Sequence, residues 1–223
     1  MKEFLSRGLY SVRDASRILH LKPATVRRWA FGYKRRGKEY EPVTPRIVPD
    51  LHGRHALTYL ELVQLLTVRD FLKARASWAL IRHTYDVARE RLQTPFPFAR
   101  DRWLADPAGI YHREDPAGDV LTEMSSGGEQ TAMREALAGY LREMDFDRAG
   151  DSLRWYPLGR NKPVVLDPYV SFGAPVVDGT GVRTETLDAM RRAGEDIDSV
   201  AWWHGLEPYQ VDAAVEFEGS LAA

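Results

Sequence analysis

The chain has no cysteine. Without thiols it forms no disulfide, offers no thiol nucleophile and holds no iron–sulfur cluster or cysteine-type zinc finger. It also lacks any apolar run near the roughly 20 residues that cross a bilayer. Its first residues, MKEFLSRGLYSVRDASRIL, contain no apolar stretch of roughly 7–15 residues, so they do not read as a signal peptide. Net charge of one sign is missing as well, at −1 overall. What is present is material for a core: 223 residues, 44% apolar and 11% aromatic, with six Trp. That composition excludes wholesale disorder, and the length corresponds to one or two domains. The expectation is a cytoplasmic protein that needs no membrane, no metal and no cofactor.

The small net charge hides an asymmetry. Residues 1–100 hold 20 Lys+Arg against 9 Asp+Glu, whereas residues 101–223 hold 11 against 23. A basic half joined to an acidic half points to a polyanion at one end.

The basic half begins with two short helices. Ser11-x-x-Asp14 is a capping pattern, and Val12, Ala15, Ile18 and Leu19 follow it on one helical stripe. His20-Leu21-Lys22 reads as a turn, and Pro23 suits the first position of a second helix, ATVRRWAFGY. In that helix Val26, Trp29, Ala30 and Tyr33 share the expected core face, while Ala24, Arg28 and Phe31 point away and Thr25 and Arg27 flank. A small residue, a hydroxyl and two arginines near a helix start are what base-edge and phosphate contact require. The expected DNA contacts are Arg13, Ala24, Thr25, Arg27 and Arg28, joined by Tyr33, Lys34, Arg35, Arg36 and Lys38 around a glycine turn. Val43, Ile47 and Val48 at strand spacing extend this into a hairpin wing. Two longer helices come next. One is fed by Leu57, Leu60, Val63, Leu66 and Val68; the other is capped by Ser77 and carries Trp78, Ile81, Tyr85, Ala88 and Leu92 as core.

The order helix, turn, TVRRW helix, basic wing, then LTYLELVQLLTVRDFL and SWALIRHTYDVARERL resembles the winged helix-turn-helix DNA-binding domain of the MerR type. The resemblance covers residues 1–92 and implies that Thr25 and Arg27 enter the major groove of double-stranded DNA. Arg75-Ala76-Ser77 departs from the family, which often has Gly before that Ser. No long coiled-coil helix follows residue 93, so dimerisation must use another element.

Residues 93–165 form the second expected segment. Pro95-Phe96-Pro97-Phe98 reads as a rigid connector, and residues 100–125 as a small hairpin with loop. Ser125–Gly128 reads as a break, and a helix is expected from about Glu129 to Met144. Strands are expected at Leu153–Leu158 and Val164–Leu166.

The third segment is 166–223. Gly173, Pro175, Val176, Gly179 and Thr180, followed by Ala193-Gly194-Glu195, Leu206, Val211, Ala213 and Ala214, resemble the family called domain of unknown function 433. That resemblance implies a three-helix, homeodomain-like antitoxin module. The residues agree on three helices, capped by Thr184, by Asp196 and opened by Glu207-Pro208. Yet residues 184–223 hold two Arg and nine Asp+Glu, a surface that phosphate repels. The tail is therefore assigned to toxin docking or dimerisation, with Trp155, Tyr156, Trp202, Trp203, Tyr209, Ala213 and Phe217 as candidates.

Taken whole, the chain resembles non-classical VapB-type antitoxins. The resemblance implies a homodimer that binds its own operator and neutralises a PIN-like ribonuclease toxin. The alternative is a stand-alone dimeric MerR-like transcription regulator. The expected fold class is mainly α, with a small α+β segment in the centre. Enzymatic readings find little: Gly179-Thr180-Gly181 lacks the Gly-Lys-Ser/Thr ending of a phosphate loop, His52 and His55 have no third ligand, and Asp145, Asp147 and Asp151 do not space as a calcium loop. No catalytic residue is assigned.

Overall fold

The structure is a computed structural model that describes residues 8–44, 55–100, 103–105, 109–113, 121–123, 143–147, 150 and 152–221. Ile47, Val48, His52, Asp151, the break at Ser125–Gly128 and most of the helix expected from Glu129 lie outside these.

Strand β1 (Gly8–Ser11) runs into α1 (Val12–Ile18) at Ser11, where the side chains of Ser11 and Asp14 reciprocally cap the helix start. Val12, Ala15 and Ile18 are buried as their spacing predicts. A turn through His20 leads to α2 (Pro23–Phe31), with Pro23 at its first position. The helix ends at Phe31, two residues short of Tyr33, with Gly32 as its C-cap. A side chain there would place its Cβ 2.5 Å from the Tyr40 carbonyl oxygen, a contact that excludes every other residue. Tyr33 accordingly leaves the helix for strand β2 (Tyr33–Arg35), which pairs with β3 (Lys38–Tyr40). The two-residue turn Arg36-Gly37 has positive φ at both positions, as tight hairpins require.

After β4 (Ala56–Thr58), which pairs with β1, come α3 (Tyr59–Lys73) and α4 (Trp78–Arg91). Thr58 and Glu61 form a second capping box, and Ser77 caps α4. Leu57, Leu60, Val63, Leu66 and Val68 are buried, as are Ile81, Tyr85 and Ala88. Trp78 is instead 40% exposed. It sits at the first position of α4, before that helix has begun to cross the core.

The Pro-Phe-Pro-Phe segment is core rather than connector. Pro97–Ala99 make one 3-10 turn, and Phe98 is fully buried, edge-on to Phe71, Tyr85 and Trp103 at 5.2–5.4 Å. Strands β5 (Trp103–Ala105), β6 (Ile110–Arg113) and β7 (Leu121–Glu123) form one antiparallel sheet. Strands β8 (Met144–Phe146), β9 (Ser152–Trp155), β10 (Val164–Leu166) and β11 (Pro175–Val177) form another. Met144, expected to end a helix, opens a strand, paired with Trp155.

Three helices close the chain: α5 (Thr184–Arg192), α6 (Ile197–His204) and α7 (Pro208–Ser220). Asp196 caps α6 as expected. Thr184 does not cap α5. It is the first residue of that helix, and its hydroxyl donates to Glu218 Oε1 at 2.6 Å.

Among the described residues there are seven α-helices and eleven short strands in four small sheets, a mixed α+β chain rather than a mainly α one. The largest core cluster takes Ala15, Ile18, Leu19, Val26 and Leu62 from the first hundred residues, Met144 and Trp155 from the middle, and Ala213, Phe217 and Leu221 from α7. Polar bonds cross the same seam. The Tyr10 hydroxyl donates to the Gly173 carbonyl at 2.8 Å, Tyr59 and Ser152 share a hydroxyl hydrogen bond of 3.0 Å, and Arg17 reaches the buried Glu218 at 3.1 Å. Burial pushes the Tyr10 and Tyr59 hydroxyls well above the usual tyrosine range, so both stay protonated.

Candidate nucleic-acid interface and tail surface

Helix α2 anchors by Val26 and Ala30, both buried. A nine-residue helix with that face inward must turn the opposite face out. Ala24, Arg27 and Arg28 are exposed and Thr25 is half-buried, so the four α2 residues singled out by sequence line one accessible edge. Arg13 is exposed on α1. Lys22, which precedes α2, provides no side-chain cap.

The hairpin brings the other cations beside this edge. Tyr33 and Tyr40 stack across β2 and β3 with ring centres 4.6 Å apart and planes 2° from parallel. That stack ties the two strands of the hairpin together. The Arg28 guanidinium lies 5.9 Å over the Tyr33 ring, and the Lys38 ammonium 5.4 Å over Tyr40. Lys34, Arg35, Arg36 and Lys38 are all exposed. Lys34 approaches Glu39 at 3.8 Å, but both ends are mostly in water, where such a pair is worth little. The hairpin tip thus keeps a concentration of positive charge at the end of the exposed α2 edge. An edge of this kind can contact polyphosphate, with Arg27 and Arg28 able to reach a groove.

Sequence reasoning missed three residues here. Tyr40, Trp78 and Arg82 border the same face. Arg82 donates to the carbonyls of Glu41 at 2.9 Å and Pro42 at 3.0 Å, holding the segment that leaves the hairpin. The basic run marks the hairpin tip in the sequence, while the partner of Arg82 lies about forty residues away and no spacing rule indicates it.

The tail divides the other candidates. Trp155, Tyr156, Ala213 and Phe217 are buried in the chain's own core, so they supply packing and not surface. Trp202 is 79% exposed, Tyr209 62% and Trp203 50%. The two Trp end α6 and Tyr209 begins α7, either side of the left-handed Gly205. Exposed Asp198 and Asp212 lie on these two helices, and exposed Glu207 immediately precedes the second. An exposed aromatic patch with an acidic border is a surface for a partner with an apolar centre and a basic rim.

Among the described residues, no group of three or more His, Asp or Glu side chains is placed to hold a metal ion. No helix there is long and apolar enough to cross a membrane.

Comparison with known proteins places these surfaces in context. Residues 164–217 match the model of a protein family of unknown function, DUF433. The chain is 28% identical to the candidate antitoxin VapB45 of Mycobacterium tuberculosis, over 93% of this chain and 92% of that protein. It is 24% identical to an uncharacterised protein, Rv2308, of the same organism, over 96% of this chain and 91% of that one. Among solved structures it resembles the crystal structure of Rv2018 from Mycobacterium tuberculosis, with a TM-score of 0.68 and 25% identity over 95% of this chain and 99% of that one.

Proposed function

We propose that the chain is the antitoxin of a toxin–antitoxin pair. Its N-terminal unit, read as a MerR-like winged helix-turn-helix, binds the operator of its own operon as a homodimer. Its homeodomain-like tail docks and neutralises a PIN-like ribonuclease toxin.

The observation that carries this reading is the end-to-end similarity to VapB45, which spans both the basic half and the acidic tail. The local chemistry supports the same division. Exposed arginines line α2 and a cationic hairpin follows it, whereas residues 184–223 hold the exposed aromatic patch and nine acidic residues. A ribonuclease must attract an RNA backbone, so a basic rim suits its active site. An acidic, aromatic partner surface complements such a rim and speeds association.

The test is a pull-down and growth-rescue assay with the full chain and the PIN-domain ribonuclease encoded beside its gene. Aromatic anchors at interface centres cost about 2 kcal/mol or more each when truncated. The triple variant Trp202→Ala/Trp203→Ala/Tyr209→Ala is expected to lose capture and rescue while keeping its fold and operator binding. Full neutralisation by that variant would remove the tail from the interface.

A further inference from the structure

The face between α2, the hairpin and α4 is hollow. It encloses a groove of about 420 Å³, within the range of small-ligand sites. Four aromatic rings shape it. Trp29 and Trp78 meet edge to face with ring centres 5.3 Å apart, and both line the space. The stacked Tyr33 and Tyr40 form the facing wall, and buried Val43 lies at the base. Trp78 at 40% and Tyr33 at 38% exposure leave the rings reachable from water.

Charge selects among flat ligands. Arg28 and Arg82 border the groove against a single carboxylate, Glu41. Neither arginine has a carboxylate partner among the described residues. Arg28 bonds the Ala24 carbonyl and Arg82 the Glu41 and Pro42 carbonyls. The groove therefore carries a net positive charge beside aromatic faces. A flat apolar molecule would use only the rings and a free phosphate only the arginines. A heteroaromatic ring that bears a phosphate uses both, through base stacking on Trp or Tyr and charge-assisted hydrogen bonds to guanidinium.

We propose that this groove binds a purine mononucleotide. Its ring is taken up against Trp78 and Trp29 and its phosphate is held by Arg28. Because Arg28 and Tyr33 belong to the edge assigned to DNA, a bound nucleotide competes with duplex DNA for them and lowers operator affinity. The groove lies apart from Trp202, Trp203 and Tyr209 in the fold, so ligand binding does not depend on a toxin.

The experiment is calorimetric titration of the full chain, without DNA, using guanosine 5′-monophosphate and adenosine 5′-monophosphate as probes. Guanosine and inorganic phosphate serve as the half-ligands. At least one nucleotide is expected to bind measurably, and each half-ligand at least tenfold more weakly. Trp78→Ala should weaken binding about tenfold, the size of one lost stacking platform. Arg28→Gln should remove the advantage of the nucleotide over its nucleoside. Arg82 is left intact because it holds the segment after the hairpin. Trp78→Phe should restore most of the affinity, which separates stacking from a general loss of packing. No binding by either nucleotide overturns the proposal. So does binding that is unchanged in both Trp78→Ala and Arg28→Gln, or equally tight binding of inorganic phosphate. These outcomes are read without operator DNA, so failure of the DNA-binding assignment leaves them unaffected.

Discussion

Arg27 and Arg28 are adjacent on α2 yet differently prepared. Arg28 is positioned by the Ala24 carbonyl at 3.2 Å and the Tyr33 ring, whereas Arg27 has no hydrogen bond or ion pair among the described residues. A side chain already ordered loses less rotamer freedom on binding. Arg28→Ala is expected to cost about 1–3 kcal/mol of operator affinity and relax base preference, the size of one bidentate base contact. Electrophoretic mobility shifts on matched and mutated operators check this. Unchanged binding by a folded Arg27→Ala/Arg28→Ala variant would refute the α2 assignment. Core residues obey a different rule. Phe98 has no exposed surface and three aromatic neighbours, so Phe98→Ala should destabilise the protein by about 3–5 kcal/mol in urea titration, through lost transfer energy and a cavity. The arginines are legible in sequence because they lie in one short run. Phe98 is not, since Pro-Phe-Pro-Phe has no period, and only the arrival of Phe71, Tyr85 and Trp103 makes it an anchor.

At the scale of elements, helices were the most legible part. Ser11, Ser77 and Asp196 each cap the helix that follows, because an unpaired amide at a helix start needs a nearby oxygen. Thr184 escapes that logic, since its hydroxyl serves Glu218 on α7 and helix spacing carries no trace of a partner 34 positions on. The end of α2 is hidden from the sequence for a similar reason, as the Tyr40 carbonyl that demands Gly32 comes from β3. The hairpin was recognised by its charge, although its strands are only three residues each. That charge has a measurable signature. Replacing Lys34, Arg35, Arg36 and Lys38 by Gln should weaken binding to all duplexes alike. It should also reduce the slope of log affinity against log salt by about 0.9 per lost phosphate contact. Filter binding from low to moderate salt measures both. A change in sequence preference at constant slope would mean that the hairpin reads bases instead.

At the scale of the molecule, charge and packing divide the chain differently. The charge boundary near residue 100 is visible in the sequence and suggests two separable halves, but the core ignores it. Met144, Trp155, Val164, Leu166, Ala213, Phe217 and Leu221 bury their side chains in the same cluster as Ala15, Ile18, Val26 and Leu62. Tyr10, Arg17 and Tyr59 meanwhile spend polar bonds on Gly173, Glu218 and Ser152. Burying an apolar side chain is worth about 1.5–3 kcal/mol, so these later residues together contribute roughly 10–20 kcal/mol as an upper estimate. That matches or exceeds the roughly 5–15 kcal/mol by which a native domain is stable. Residues 1–100 expressed alone should therefore lose cooperative unfolding, bind a hydrophobic dye and hold DNA poorly, even though every residue assigned to DNA is present. The full chain should melt with its N-terminal and tail tryptophans reporting one midpoint. Calorimetry of the fragment beside the intact protein decides the matter. A fragment that melts cooperatively near the temperature of the full chain would show that the shared core is dispensable, and that the charge boundary is also the folding boundary.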